Sequence, residues 1–200
     1  MRTNEESLAP VLKSWRQIYQ THNVLKQHED QVLKAYGLST EKLGVLSVIS
    51  YLGGSAKITD IGRWLERSSN SVTMIVDRMV RAGLVKRRRD RGDRRVVFVS
   101  ATGKGEAALK PAYAAAIGFV CRIFQSLSSE DMNTVSSLLR TVKYETLKQG
   151  DPAADIKETE RADSKRLADE QRWLAENGLL SRSGAKCRSR TKSRTRGRAK

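Results

Sequence analysis

From Lys57 to Ser100 the chain reads KITDIGRWLERSSNSVTMIVDRMVRAGLV and then KRRRDRGDRRVVFVS. Two short helical patterns meet at a tight turn and run straight into two β-rich segments around a cluster of arginines. Few folds accommodate that order. In the first helical pattern Ile61 and Leu65 share an inward face, and Thr59 is placed to cap an orphan amide. Arg67-Ser68-Ser69 makes the turn. The second pattern runs from about Asn70 to Ala82, and Gly83 closes it. Its apolar stripe is Val72, Ile75, Val76, Met79 and Val80. The opposite face carries Ser71, Thr73, Met74, Asp77, Arg78 and Arg81. Two short helices, the second with small polar groups at its start, are the pattern of a helix-turn-helix. Leu84–Arg89 and Val96–Ser100 then predict a β-hairpin. Gly92 supplies backbone freedom at its tip, and Asp90 and Asp93 are able to bond local amides. The composite predicts a winged helix-turn-helix.

Six of the nine residues from Arg87 to Arg95 are arginine. Taken alone, such a run is a solvated turn; placed after a helix-turn-helix, it points to a polyanion. The whole chain supports this. Its 200 residues carry a formal net charge of +16, which favours nucleic acid or an acidic membrane surface. Residues 181–200 hold nine Lys or Arg and no acid, whereas residues 151–180 hold five basic and eight acidic residues.

Helical spacing surrounds the central region. Leu8, Val11, Leu12, Trp15, Ile18, Tyr19, Leu25, Val32, Leu33 and Tyr36 form one stripe, with Gly37 as its stop. A helix from about Ser39 to Leu52 buries Leu43, Leu46, Val48 and Ile49, and Gly53-Gly54 ends it. Beyond the hairpin, Thr102 is a candidate cap. The stripe that follows it runs through Leu109, Tyr113, Ile117, Val120, Phe124 and Leu127, with Pro111 predicting a bend. Ser128-Ser129-Glu130-Asp131 starts a last stripe of Met132, Val135, Leu138, Leu139, Val142 and Leu147. Residues 153–177 have few apolar anchors and predict a solvated helix or no stable structure. The tail from Ser181 has almost nothing to bury and predicts disorder.

Other chemistries find no support. Cys121 and Cys187 lie far apart and show no zinc-ligand spacing and no disulfide framework. Cys121, among apolar residues, reads as an inert buried thiol. No apolar run approaches the roughly 20 residues that span a bilayer, and the N-terminus lacks a signal-peptide core. There is no Gly-rich phosphate loop and no nucleophile motif. The expectation is a cytoplasmic, non-enzymatic protein with no catalytic residue, metal, cofactor or membrane partner.

The residues SSNSVTMIVDRMVRAGLVKR and DRGDRRVVFVSATGKG together resemble the recognition helix and wing of the MarR family of bacterial transcriptional regulators. The match is strongest over residues 38–105, and with the flanking helices it extends over about 8–148. It departs from the family pattern at Ala101, where leucine is usual, and at Met74, where a basic residue is common. The fold implied is mainly α with a small β wing: a winged helix-turn-helix plus a helical dimerisation region. Its parts are an N-terminal dimerisation helix (1–37), a DNA-binding domain (38–102), C-terminal dimerisation helices (103–150) and a charged extension with a basic tail (151–200).

The resemblance further implies a homodimer on a pseudo-palindromic double-stranded DNA site, with two recognition helices in successive major grooves. Ser69, Asn70, Ser71 and Thr73 sit at or near a helix N-terminus. Free amides and short polar groups there suit phosphates and base edges. Met74 and Arg78 complete the recognition-helix set. Arg91, Arg94 and Arg95 form the wing set, with Arg95 aligned to the family's minor-groove arginine and Asp93 expected to orient an arginine. Trp15 and Tyr19 are candidates to line an effector pocket, although core packing is the simpler role for both. The function implied is a signal-responsive regulator, usually a repressor. The alternative is an architectural, low-specificity DNA-binding protein whose affinity comes mainly from the basic tail.

Overall fold

A computed structural model describes residues 5–93, 95–153 and 155–180. Arg94, Cys187 and the tail 181–200 lie outside the described residues. Within residues 1–116, one compact unit, helix α1 (Glu5–Lys34) ends ahead of Gly37, whose φ of 68° only glycine adopts readily. Helix α2 (Thr40–Tyr51) is capped by Ser39, whose side chain accepts from the Lys42 amide at 3.4 Å. Strand β1 (Ser55–Lys57), helix α3 (Ile58–Leu65), helix α4 (Ser69–Arg81) and strands β2 (Val85–Arg89) and β3 (Val97–Ala101) follow. Helix α5 (Gly103–Phe124) starts in this unit and continues beyond it. The sheet is antiparallel in the order β1-β3-β2, so β3 lies in the middle.

The core of this unit is centred on α2, where Leu43, Val45, Leu46, Val48 and Ile49 are all buried. They meet Ile61 of α3, Val72, Ile75, Val76 and Met79 of α4, and Val85 and Val99 of the sheet, which are buried as well. Each such side chain contributes about 1.5–3 kcal/mol. The predicted α4 stripe is therefore the buried one, except for Val80, which is 40% exposed. Strand β1 was not predicted. Only Ala56 of its three residues faces inward, opposite Val99, so no alternating pattern announces it.

Thr59 does not cap α3. The helix follows β1 without a loop, Lys57 holds the cap position and no side chain bonds there. Thr102 does cap α5: its hydroxyl accepts from the Gly105 amide at 3.2 Å and donates to the Gly83 carbonyl at 2.6 Å. The helix continues through Pro111. It is long and apolar enough to cross a membrane by length and composition, which corrects the expectation that no segment comes close. Its first half is nonetheless engaged in the winged unit, with Leu109, Ala112 and Ala116 buried and the Tyr113 hydroxyl 2.9 Å from that of Tyr51.

Gly105 is fixed by contact rather than by backbone angle. A Cβ there would sit inside the contact radius of the Leu84 carbonyl oxygen, with Leu46 behind it. Gly105→Ala therefore forces the hairpin entry away from α5. A loss of about 1–3 kcal/mol is expected for such overpacking, read as a lower urea midpoint at unchanged m-value.

Residues 117–200 form the second unit. Cys121 is half-buried, less enclosed than the buried thiol expected. Helix α6 (Ser129–Gly150) opens on a capping box: Asp131 donates its amide to Ser128 Oγ at 3.0 Å, and its carboxylate accepts the Ser128 amide at 3.0 Å. Helix α7 (Ile156–Glu176) is the firmer of the two outcomes expected for the charged extension. It is held to α6 by Asp163, which accepts from Lys143 Nζ at 2.8 Å and the Tyr144 hydroxyl at 3.1 Å, while Arg166 donates to its other oxygen at 3.0 Å. Burial, the largest single influence on Asp163, favours its neutral form. The Lys143 ammonium, the Tyr144 hydroxyl and Arg166 together outweigh it and hold the carboxyl below its ordinary value. A carboxyl depressed in the folded state stabilises above its unfolded pKa and loses that stabilisation as pH falls through the folded value. The thermal midpoint of the second unit should thus drop below about pH 4. Asp163→Asn should flatten this drop and cost on the order of 1–2 kcal/mol at neutral pH, measured by calorimetry from pH 7 to 2.

Candidate nucleic-acid interface

Helix α4 begins on a side-chain cap. Ser68 Oγ accepts from the Ser71 amide at 3.2 Å and lies 3.0 Å from Ser71 Oγ. With Val72, Ile75, Val76 and Met79 turned into the core, the outer face presents Ser69, Asn70, Met74 and Arg78 to solvent, with Ser71 and Thr73 half-buried beside them. Met74 is 62% exposed, a large apolar group in the middle of a polar face. The free amides of the first turn lie among these short side chains, an arrangement suited to anions.

The hairpin tip between β2 and β3 is organised by its two acids. Asp90 Oδ1 accepts from the amides of Gly92 at 2.9 Å and Asp93 at 3.1 Å. Asp93 Oδ1 accepts from the Arg95 amide at 2.9 Å. The Asp90 amide donates to the Val96 carbonyl, and the Val96 amide to that of Asp93, both at 2.9 Å. The bonds from the Asp93 and Gly92 amides hold the Asp90 carboxyl below its ordinary value, so the tip keeps its shape until the pH falls well into the acid range. Both carboxylates are thus bonded to main chain, and Arg91 and Arg95 stand exposed on the loop they shape. Asp93 acts on the Arg95 backbone. Arg94 lies outside the described residues.

The arginine run is divided by the pleat of β2. Arg87 pairs in register with Val99, on the same face as the buried Val85. From there its guanidinium reaches α4, where it pairs with the Asp77 carboxylate and donates to the Thr73 carbonyl at 2.9 Å. Arg88, on the other face, stacks 5.1 Å from the Phe98 ring centroid. Arg89 is exposed. Asp77 and Arg78, neighbours on α4, take different partners. Asp77 binds Arg87, while Arg78 Nη2 lies 3.8 Å from Glu41, which also pairs with Arg67 at 3.4 Å. Arg78 further donates to the Met74 carbonyl at 3.3 Å. Glu41, Arg67 and Arg87 were absent from the predicted site. For Arg87 the signal was present: strict alternation from Val85 turns it inward.

Glu41 sits at the start of α2, and the next residue back is fixed from α1. Asp30 accepts from the Thr40 amide at 2.7 Å and from its hydroxyl at 2.8 Å, while Lys26 Nζ lies 2.8 Å away. Burial of Asp30 is offset by these bonds, and its carboxyl is held below the ordinary value. The neighbouring Glu29 is pushed up, chiefly by burial. Further along α1, Trp15 and Tyr19 stack at 5.8 Å between centroids and are 62% and 60% exposed. They are not packed in the core of this unit.

A helix pair with an exposed polar first turn on its second member, followed by a basic hairpin, defines a winged helix-turn-helix protein. Residues 36–96 match the MarR family model. It is 27% identical over 137 residues to the uncharacterised HTH-type transcriptional regulator YkoM of Bacillus subtilis strain 168, covering 68% of this chain and 88% of that protein. Among solved structures it resembles the ligand-free organohalide-sensing regulator RdhR-CbdbA1625, with a TM-score of 0.67, 24% identity, and coverage of 72% of this chain and 85% of that one. It also resembles reduced AbfR bound to DNA, with a TM-score of 0.60, 22% identity, and coverage of 72% and 98%.

Proposed function

We propose that the chain is a sequence-specific regulator of transcription that binds a pseudo-palindromic double-stranded DNA operator as a homodimer. The carrying observation is the juxtaposition of the exposed first turn of α4 with the arginine-bearing hairpin, joined by the Arg87 contacts. In this reading Ser69, Asn70, Ser71, Thr73 and Met74 enter the major groove, and Arg91, Arg94 and Arg95 follow the adjacent phosphates and minor groove. Arg78 is close enough to Glu41 to be shared between that carboxylate and a phosphate. Dimer formation is supported by large apolar groups left exposed on α1 (Leu8, Val11, Leu12, Trp15) and, taken separately, on α6 (Leu138, Leu139, Val142). Exposed apolar stripes of this kind mark protein contacts. Trp15 and Tyr19 belong to the α1 face, which makes a second copy a better occupant for them than a small molecule.

Repression is the form of regulation proposed, because a dimer across two major grooves occludes the DNA beneath it. Release by a small molecule is supported by a cavity of about 360 Å³ between Tyr36 and Gly37 after α1, Leu84 at the hairpin entry, and Lys104, Ala108 and Pro111 of α5. A ligand there bears directly on the end of the recognition helix. It acts only by binding the DNA-incompetent arrangement more tightly. Such a protein works in the cytoplasm, where the chromosome is.

The test is selection of bound duplexes from a random pool with the full-length protein at physiological salt. Recovery of two half-sites about 10 bp apart, centre to centre, is expected. Tight binding with no recovered motif would instead favour an architectural role carried by the basic tail.

A further inference from the structure

We propose, on the DNA-binding reading given above, that Arg87 is a positioning residue for operator recognition: it locks the wing to the recognition helix and is not itself a phosphate contact. Arg87 lies within a run of four consecutive basic residues, Lys86 to Arg89, yet its surroundings differ from theirs. Its side chain is 29% exposed. One arm of the guanidinium meets the Asp77 carboxylate and the other the Thr73 carbonyl, one turn apart along α4. Two of its donor nitrogens, Nη1 and Nη2, are thus directed at the helix.

This geometry has a consequence for reading a sequence. The first turn of α4 carries the groups that face base edges, and the hairpin tip carries those that face the minor groove. The two sets read one operator only if their separation is fixed. Covalently they are joined through the Ala82–Leu84 turn. The Arg87 fork adds a second tie, anchored at Thr73, a residue of the base-facing set, and at Asp77 one turn further on. A lysine cannot reproduce it. One ammonium supplies the charge for Asp77 but not the planar pair of donors that reaches two acceptors at once. Phosphate attraction, by contrast, needs only the charge.

The experiment compares wild type, Arg87→Lys, Arg87→Met, Asp77→Asn and, as a phosphate-contact control, Arg91→Met. For each, affinity is measured for the selected operator and for a scrambled duplex across a salt series, with circular dichroism melts alongside. The expected result is a fall of about tenfold in the operator-to-scrambled ratio for Arg87→Lys, comparable to one mismatched base pair, with the salt slope unchanged. Arg87→Met and Asp77→Asn should show the same signature. Arg91→Met should lower affinity for both duplexes and reduce the slope by about 0.9. If Arg87→Met fails to fold, Arg87→Lys decides alone, because it keeps the charge and removes the fork. An unchanged ratio in Arg87→Lys overturns the proposal, as does a slope reduced by about 0.9 in Arg87→Met. A wild-type protein without any operator preference overturns the DNA-recognition reading itself, an outcome visible before any variant is compared.

Discussion

On the proposed function, raising salt from 50 to 200 mM is expected to lower the affinity of the full-length protein for its operator by about 10³- to 10⁵-fold, the range for 6–10 neutralised phosphates. The effect follows from counterion release and depends on how many cations face DNA. Two groups contribute on this reading. One is the exposed basic set on the winged unit, which includes Arg89, Arg91 and Arg95. The other is the tail 181–200, with nine Lys or Arg and no acid. A chain truncated after Leu180 should therefore bind more weakly at every salt concentration, with a shallower slope, and keep its ratio between operator and scrambled duplex. Fluorescence anisotropy over a salt series measures both. Loss of the ratio together with the affinity would assign recognition to the tail and return the architectural reading.

Replacing Asn70 by alanine is expected to remove about 1–3 kcal/mol of base discrimination at one position of each half-site. Asn70 is exposed on the first turn of α4, and its amide is able to donate and accept at once, the pattern that adenine presents in the major groove. The substitution should leave folding nearly unchanged, because the cap belongs to Ser68 and the core to Val72. Its signature is a change in base preference at fixed salt slope. Competition binding against operators substituted position by position reads this directly. A uniform loss over all operators would place Asn70 on the backbone instead.

Much of the fold was legible because period and punctuation agreed. The α4 stripe, the glycine after it, the two acids of the hairpin tip and the Ser128 cap each carry a local signal strong enough to survive tertiary context. Strand β1 was not legible, since a three-residue strand with one inward alanine is held by its partner β3 rather than by its own composition. Thr59 misled for a related reason. A threonine near a helix start is a good cap in isolation, but β1 delivers the chain into α3 already extended, and the helix begins at Ile58. In the candidate site, exposure on α4 was read from spacing. The ion pairs were not, because Glu41, Arg67 and Arg78 come from three segments whose approach only the packed core determines. Arg87 shows the opposite case: composition hid it among like charges, while the pleat of the strand had already assigned its side.

The hairpin tip carries one further consequence, for the kinetics of association. Confining a single residue's backbone costs about 1–2 kcal/mol in conformational entropy, and a basic loop ordered only on contact would bear that cost during binding. Here the carboxylates of Asp90 and Asp93 already bridge to the amides of Gly92, Asp93 and Arg95. On the DNA-binding reading, these bonds order the described part of the loop ahead of contact, and capture involves no folding step there. Association then runs at the speed set by diffusion and electrostatic steering, and differences among DNA sequences are expressed in how long each complex lasts.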